Sequence, residues 1–398
     1  MKFGLMKFRF VAALAAMAVA ATSLPAVAQD LVLGLSYAKT GRFASIGAAT
    51  EVAVDLAVAE INAAGGVNGR KIRVEKFDTA SDAKNAQIAV QRFAEDLRAL
   101  AVVGPFSSAE ATVAFAAGER LEIVQMPNAA SAPGLTKDRR WAYRLTEDEG
   151  RQFARLLKTL TDKNLFRERT AAVMYPSDEV VGRSLAGWMP RLLEQEGWKQ
   201  VIPAEGFPTN STDLSPHVTK LKGSSPSVLA FAGLPDGAAK VMKEVRRQGL
   251  NSTLIGSQIF ADPDIGKILG PDGEGAVFVT WYWWDTNDRT RAFERKFLDE
   301  ARKRGINKSG AHHVDASAYD IVYVYADAIR RAGVTGDPAK VKAERLAIRD
   351  ALAKTSLDGV TGKLCFDADR DAQLPGYIIQ MKGGQRTLLD RHMSDLCK

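Results

Sequence analysis

The feature that most constrains the fold is an alternation of short apolar segments with longer amphipathic ones. Residues 31–35 are almost wholly apolar, whereas residues 52–61 place apolar side chains at helical spacing. The same alternation continues to about residue 125. It predicts strands at 72–77, 99–103 and 122–125, and helices at 86–93 and from Ser107 and Ser108 onward. Strands and helices in this order are typical of an α/β fold with a parallel sheet covered on both faces.

The pattern restarts after Tyr143. It predicts strands at 170–174, 201–203, 228–231, 253–255 and 276–280, separated by helices at 153–160, 185–196, 214–221 and 238–248. Three further helices are predicted at 291–303, 316–332 and 340–354, and they must pack on one of the two units. The chain is therefore expected to form two successive doubly wound units.

The first residues are typical of an export signal. Lys2, Lys7 and Arg9 precede the apolar run 11–24, which closes on the small residues of 26–28. This predicts a secretory signal peptide over residues 1–28, cleaved near Ala28, and a periplasmic location. No cysteine lies at the cleavage region to accept a lipid, and no later stretch is apolar enough to span a bilayer.

Composition excludes one class of partner and bounds the domain count. Removal of residues 1–28 lowers the formal net charge from +7 to +4, and the remaining acids and bases are interspersed. A nucleic-acid-binding surface would need a clustered basic face, so nucleic acid is not an expected partner. The remaining length is sufficient for two lobes, each with its own core.

Cys365 and Cys397 are the only cysteines, and both lie near the C-terminus. In an oxidising compartment a disulfide between them is plausible, and it would fix the C-terminal segment to the body of the protein. Two free thiols are the alternative.

Several short motifs occur in a characteristic order along the mature chain. They are 37–41 (Tyr-Ala-Lys-Thr-Gly), 60–70 (Glu-Ile-Asn-Ala-Ala-Gly-Gly-Val-Asn-Gly-Arg), 77–79 (Phe-Asp-Thr), 102–108 (Val-Val-Gly-Pro-Phe-Ser-Ser), 129–133 (Ala-Ala-Ser-Ala-Pro) and 318–320 (Ala-Tyr-Asp). Together they resemble the periplasmic branched-chain-amino-acid-type binding proteins of ABC transporters, the leucine/isoleucine/valine-binding class. The resemblance covers essentially the whole mature length.

The resemblance implies two Rossmann-like lobes of the type I periplasmic binding protein fold, joined by three hinge crossings near Leu145, Thr280 and Asp358. Lobe one would comprise residues 30–145 and 281–358, and lobe two residues 146–280 and 359–398. It further implies a monomer that holds one small ligand between the lobes, closes around it, and delivers it to the permease subunits of an ABC importer. No cofactor and no metal are expected.

Three segments are candidates for ligand contact. Ser108 opens a helix directly after a strand, where a hydroxyl and the positive helix end suit a carboxylate, although it could simply cap its helix. Ser131, with Ala129 and Ala130 before it, resembles the second contact segment of the family, although serine is also common in turns. The resemblance places Glu149 where an acid can face the ammonium of a ligand, and a surface acid at a helix start is the alternative.

Three positions depart from the amino-acid binders of the family. Val181 and Leu234 stand where those proteins present aromatic residues, and Gln258 stands where a glutamate often holds the α-amino group. A neutral glutamine cannot give an ammonium the charge-assisted bond that a carboxylate gives. We therefore predict a carboxylate ligand that lacks a free α-amine or carries it elsewhere.

Aromatic residues near the predicted cleft are a further group of candidates. Trp281 begins the run 281–284 after the second crossing, and an inward-facing ring there would offer a flat apolar surface to a ligand. Packing into the core is the alternative. Phe43 and Phe106 lie on predicted cleft-side loops.

Two other classes of function remain as alternatives. An enzyme would need a reactive constellation, but His312, His313 and Asp315 have poor spacing for a metal, and no nucleophile elbow, P-loop or dinucleotide fingerprint is present. A signalling receptor with similar lobes usually carries a membrane span or a fused output domain, and the sequence contains neither.

Overall fold

The computed structural model describes residues 29–397 except 232 and 395. For residue 181 it describes the backbone but not the side chain. The predicted signal peptide at residues 1–28 lies outside the described residues.

The first sheet contains four parallel strands in the order β2-β1-β3-β4. They are β1 (Leu31–Tyr37), β2 (Ile72–Asp78), β3 (Ala101–Val103) and β4 (Val124–Met126). The helices between them are α1 (Ala44–Ala63), α2 (Ala83–Glu95) and α3 (Ser108–Leu121). The central strands β1 and β3 formed where the sequence is almost continuously apolar, as expected when both faces of a parallel sheet are covered, whereas the edge strand β2 carries charged residues and is only partly buried.

The second unit begins with α4 (Glu149–Asp162) and forms a larger sheet. Its parallel strands are β5 (Thr170–Pro176), β6 (Lys199–Gln200), β7 (Glu205–Phe207), β8 (Val228–Phe231), β9 (Thr253–Gly256) and β10 (Val277–Thr280). Its helices are α5 (Val180–Gln195), α6 (Ser215–Thr219), α7 (Pro235–Arg247) and α8 (Ile265–Leu269). The prediction of a strand at 201–203 is wrong. These residues form the connection between β6 and β7, and both of those short strands pair with β5.

After β10 the chain returns to the first sheet. Three helices follow: α9 (Asp288–Lys303), α10 (His313–Arg331) and α11 (Val341–Leu352). Phe297, Ile321 and Ile348, one from each helix, share a buried core with Leu33 of β1. These helices therefore belong to the same body as the first sheet.

The last strands return to the second sheet. A short hairpin of β11 (Leu357–Asp358) and β12 (Lys363–Leu364) comes first. Then β13 (Gly376–Lys382) pairs antiparallel with β10, and β14 (Gln385–His392) pairs antiparallel with β13. The sheet order is β14-β13-β10-β9-β8-β5-β6, with β7 beside β5. The chain thus passes three times between the two bodies, and the α/β fold of two Rossmann-like lobes is confirmed.

The segment between β12 and β13 straddles the predicted boundary of lobe two. Leu364, Ala372 and Leu374 lie in the buried core of the first body, although the sequence assigned residues 359–398 to the second lobe. The division into lobes at fixed residues remains a prediction. Cys365 and Cys397 are bonded, with their Cα atoms 5.9 Å apart, so the predicted disulfide joins the segment after β12 to the segment after β14.

No helix in the described part of the chain has both the length and the apolar character needed to cross a bilayer.

Candidate functional site

A cavity of about 80 Å³ lies between the two bodies, at the carboxyl ends of their strands. This is where ligands bind in open parallel sheets, because loops and helix starts present free polar groups there. The first body contributes Arg42, Phe43, residues 106–109, Ala129 and Ser131. The second body contributes Glu179, Val180, Gly233, Leu234 and residues 257–259.

The structure brings most of the predicted site residues together around this cavity. The lining includes Phe43, Phe106, Ser108, Ala129, Ser131, Leu234 and Gln258. Ala130, Glu149 and Trp281 lie elsewhere, as described below, and the side chain of Val181 is outside the described part of the structure.

The start of α3 forms the polar end of the cavity. Ser107, rather than Ser108, caps this helix: its hydroxyl accepts from the backbone N–H of Glu110, and the Glu110 carboxylate accepts from the backbone N–H of Ser107 at 3.0 Å. Ser108 is thereby released from capping, and its Oγ accepts a 3.3 Å bond from the backbone N–H of Ala132. The amides of Ser108 and Ala109, in the first turn, have no partner within the helix, so this end of the cavity attracts an anion.

Ser131 and Gln258 meet across the cavity. The side-chain amide of Gln258 donates to Ser131 Oγ at 2.9 Å, and the Gln258 side-chain oxygen has no hydrogen-bond partner. Gln258 is 5% exposed, and its backbone carbonyl lies 3.3 Å from His312 Nε2 of the first body. A closed arrangement of the two bodies is therefore bridged by neutral groups at this wall.

The other walls are apolar. The Phe43 and Phe106 rings lie 4.8 Å apart, centroid to centroid, and share a hydrophobic cluster with Ala129, Leu234 and Ile259. Because such walls bury the body of a ligand while a few polar groups fix its orientation, the cavity suits a small molecule with an apolar body.

Glu149 is the first residue of α4 and is wholly buried behind the cavity wall. Its backbone N–H donates to the Ser131 carbonyl at 2.9 Å, while neither carboxyl oxygen makes a hydrogen bond of good geometry. Burial raises the pKa of this carboxyl to about 8, against a smaller opposing effect of the Ser257 hydroxyl. Glu149 is therefore mostly protonated at pH 7 and places no full negative charge beside the cavity.

Ala130 does not line the cavity but supports the residues that do. Its carbonyl accepts from Arg144 Nη1 at 3.3 Å, and the Ala132 carbonyl accepts from the same nitrogen at 2.8 Å. Arg144 is fully buried, and its guanidinium also binds both carboxylate oxygens of Asp371, with Nε at 2.9 Å from Oδ1. This ion pair fixes the loop that carries Ser131.

Trp281 and the histidines lie in the first body. The Trp281 indole donates to Ser317 Oγ at 2.8 Å and packs edge-on against the His313 ring in the buried core. Burial lowers the pKa of both His312 and His313 well below the ordinary value, so both rings are neutral. In the described residues no group of three or more His, Cys, Asp or Glu side chains is placed to hold a metal ion.

Sequence reasoning missed several lining residues, of which Arg42, Glu179 and Ser257 are the most polar. Ser257 had a usable signal, because it follows the predicted strand at 253–255 and precedes Gln258. Arg42 and Glu179 had none, because their significance comes from contact between residues distant in the sequence.

A cavity between two α/β bodies, each with strands that end at it, defines a two-lobed ligand-binding protein. A family model described as "Periplasmic binding protein" matches residues 30–385, so the chain belongs to that family.

The chain is similar to several binding proteins. The Leu/Ile/Val-binding protein homolog 1 of Brucella suis biovar 1 is 26% identical over 351 residues, which cover 88% of this chain and 90% of that protein. The branched-chain amino acid transporter substrate-binding protein LivJ of Streptococcus pneumoniae, solved with isoleucine, superposes with a TM-score of 0.78 at 22% identity, over 92% and 99% of the two chains. A solute-binding protein of an R. palustris ABC transporter, solved with benzoate, superposes with a TM-score of 0.76 at 18% identity, over 93% and 99%.

Proposed function

We propose that this protein is the periplasmic substrate-binding component of an ABC importer, that it binds a monocarboxylate with an apolar body and no α-ammonium group, and that it delivers this ligand to permease subunits without chemical change. Family membership supports the transport role. The chemistry of the cavity supports the ligand class.

The main support for this class of ligand is the absence of a free carboxylate on the described cavity wall. Glu179 is paired with Arg42, Gln258 is neutral, and Glu149 behind the wall is mostly protonated near pH 7. An ammonium enclosed here would lack a counter-charge, and burying an unpaired charge costs several kcal/mol. A carboxylate would instead meet the start of α3 and the Ser108 hydroxyl.

Pairs of ligands that differ only in the α-amine give the sharpest test. Leucine is compared with 4-methylpentanoate, and phenylalanine with 3-phenylpropanoate, by calorimetric titration, with benzoate, isoleucine and valine as further ligands. We expect each des-amino acid to bind at least about tenfold more tightly than its amino acid, which corresponds to about 1.4 kcal/mol. An amino acid that binds as tightly as its des-amino partner would refute the ligand class.

Two variants test the assigned walls. Ser108→Ala should weaken carboxylate binding, whereas Ser215→Ala, at the start of α6 and away from the cavity, should leave it unchanged. Gln258→Glu places a carboxylate in the wall and should narrow or reverse the preference within each ligand pair. If Gln258→Glu left the preference unaltered, the neutral wall would not determine selectivity.

A further inference from the structure

An ion pair joins the two bodies at the cavity. Arg42 lies in the loop between β1 and α1 of the first body, and Glu179 lies directly before α5 of the second. Arg42 Nη1 is 2.7 Å from Glu179 Oε1, between residues 137 positions apart in the sequence. Both residues line the cavity.

The Glu179 side chain does not cap its own helix. It stands at the N-cap position of α5, yet its side chain accepts no bond from the helix amides. Its side chain is only 8% exposed, so the carboxylate has little access to water. Burial raises the pKa of Glu179, and the Arg42 guanidinium opposes that rise. The contact with Arg42 thus compensates a carboxylate that the closed arrangement would otherwise bury unpaired.

Each partner is held in position from its own side. The neighbouring Asp178 accepts from the backbone N–H of Thr209 at 3.0 Å and from its hydroxyl at 2.6 Å, which fixes the chain before α5. The Arg42 guanidinium carbon lies 4.5 Å from the centroid of the Phe43 ring. Among the described residues, Arg42 makes no other ion pair. Opening of the cleft would separate the two charges.

We propose that Arg42 and Glu179 form a latch that favours the closed arrangement and slows ligand release. They act as positioning residues, since the ion pair holds the two bodies together rather than the ligand itself. The proposal rests on the function proposed above, because a latch matters only where closure retains a ligand.

A double-mutant cycle tests the latch, with benzoate as the probe. The variants are Arg42→Gln, Glu179→Gln and the two combined, and calorimetry and stopped-flow dissociation give the Kd and the release rate. We expect each single variant to raise the Kd about tenfold through faster release, and the double variant to resemble the singles, because one shared contact is lost. The charge-reversed pair Arg42→Glu with Glu179→Arg should recover part of the affinity. Lys158→Gln, in an exposed pair within α4, should change nothing.

Salt dependence distinguishes the latch from a purely structural role of the two residues. If the latch exists, added salt should reduce the difference in Kd between the wild-type protein and Glu179→Gln, since screening weakens the exposed side of the pair. Loss of affinity in Arg42→Gln alone, with Glu179→Gln unaffected, would make Arg42 a direct ligand contact and overturn the latch. Additive losses in the double variant would overturn it as well.

A measurement without ligand separates the latch from the proposed function. Spin labels at Lys84→Cys and Lys240→Cys, exposed residues on α2 and α7, report the distance between the bodies. We expect Glu179→Gln to reduce the fraction of molecules in the closed distance range. If the wild-type protein bound none of the carboxylates, the ligand class would fail while this comparison still tested the latch. An unchanged distance distribution would refute it.

Discussion

Replacement of Asp371 by alanine should be among the most destabilising single changes in this protein. Arg144 is fully buried, and the Asp371 carboxylate binds its guanidinium through both oxygens. Thr136 Oγ1 also donates to Asp371 Oδ1, at 2.6 Å. Asp371→Ala therefore leaves a buried cation without its main partner and a buried hydroxyl without its acceptor.

The structure also bounds the size of the effect. Loss of one partner of a buried ion pair costs about 3–5 kcal/mol in general. Asp148 Oδ2 remains 3.6 Å from Arg144 Nη2, and it can take over part of the role of Asp371. We therefore expect a loss near the lower end, about 3 kcal/mol, measured as the free energy of unfolding in urea by tryptophan fluorescence.

Two comparisons isolate the cause. Asp162→Ala, which breaks the exposed pair with Lys158, should leave the unfolding midpoint unchanged. Arg144→Met combined with Asp371→Ala should cost less than the sum of the single variants, because the double variant leaves no unpaired charge. A loss below about 1 kcal/mol for Asp371→Ala would refute the reasoning, since it would show that the Arg144 charge is compensated elsewhere.

Two further predictions concern pH and the disulfide. The folded-state pKa of Glu149, about 8, lies above its ordinary value of 4.5, so its contribution to stability is present below pH 4.5 and is lost as pH rises toward 8. Glu149→Gln should therefore gain stability relative to the wild-type protein between pH 5 and pH 9 in urea unfolding, and a constant difference would contradict this. Cys397→Ser, which opens a loop spanning 32 positions, should cost about 4 kcal/mol on the loop-entropy estimate, whereas an unchanged melting temperature would show that the C-terminal segment is held by other contacts.

The sequence was sufficient to predict the α/β fold because most strands are buried on both faces. Residues 228–231, for example, are apolar and fully buried in β8. Prediction failed around residues 199–207, where two very short strands carry polar residues and lack a periodic signal. The β13–β14 hairpin was missed although a signal was present: Gly383 and Gly384 both have positive φ at the turn, the conformation that a Gly-Gly hairpin turn requires.

The site was predictable to the extent that it depends on strand ends. Ser108, Ser131 and Gln258 each follow a predicted strand, and the parallel fold brings such positions to one edge. The choice of Ser107 as the helix cap was missed although a signal was present, because Ser107 and Glu110 have the spacing of a capping box and Ser108 has no acidic residue three positions later. The pairing of Arg42 with Glu179 depends on closure of the two bodies, which no local pattern encodes.

The ion pair and the ligand together constrain how strong the latch can be. Under the proposed function closure must remain ligand-dependent, since an empty protein that closed fully would exclude its ligand. Arg42 has a side chain that is 45% exposed, so solvent screens its attraction for Glu179 and keeps the pair weak. A latch worth about tenfold in affinity slows release and raises the closed fraction of the empty protein only in part, so ligand is still needed for full closure. Exposure of Arg42 therefore keeps the ion pair weak enough for closure to depend on ligand. A variant that buried this pair should close more often when empty and should bind its ligand more slowly.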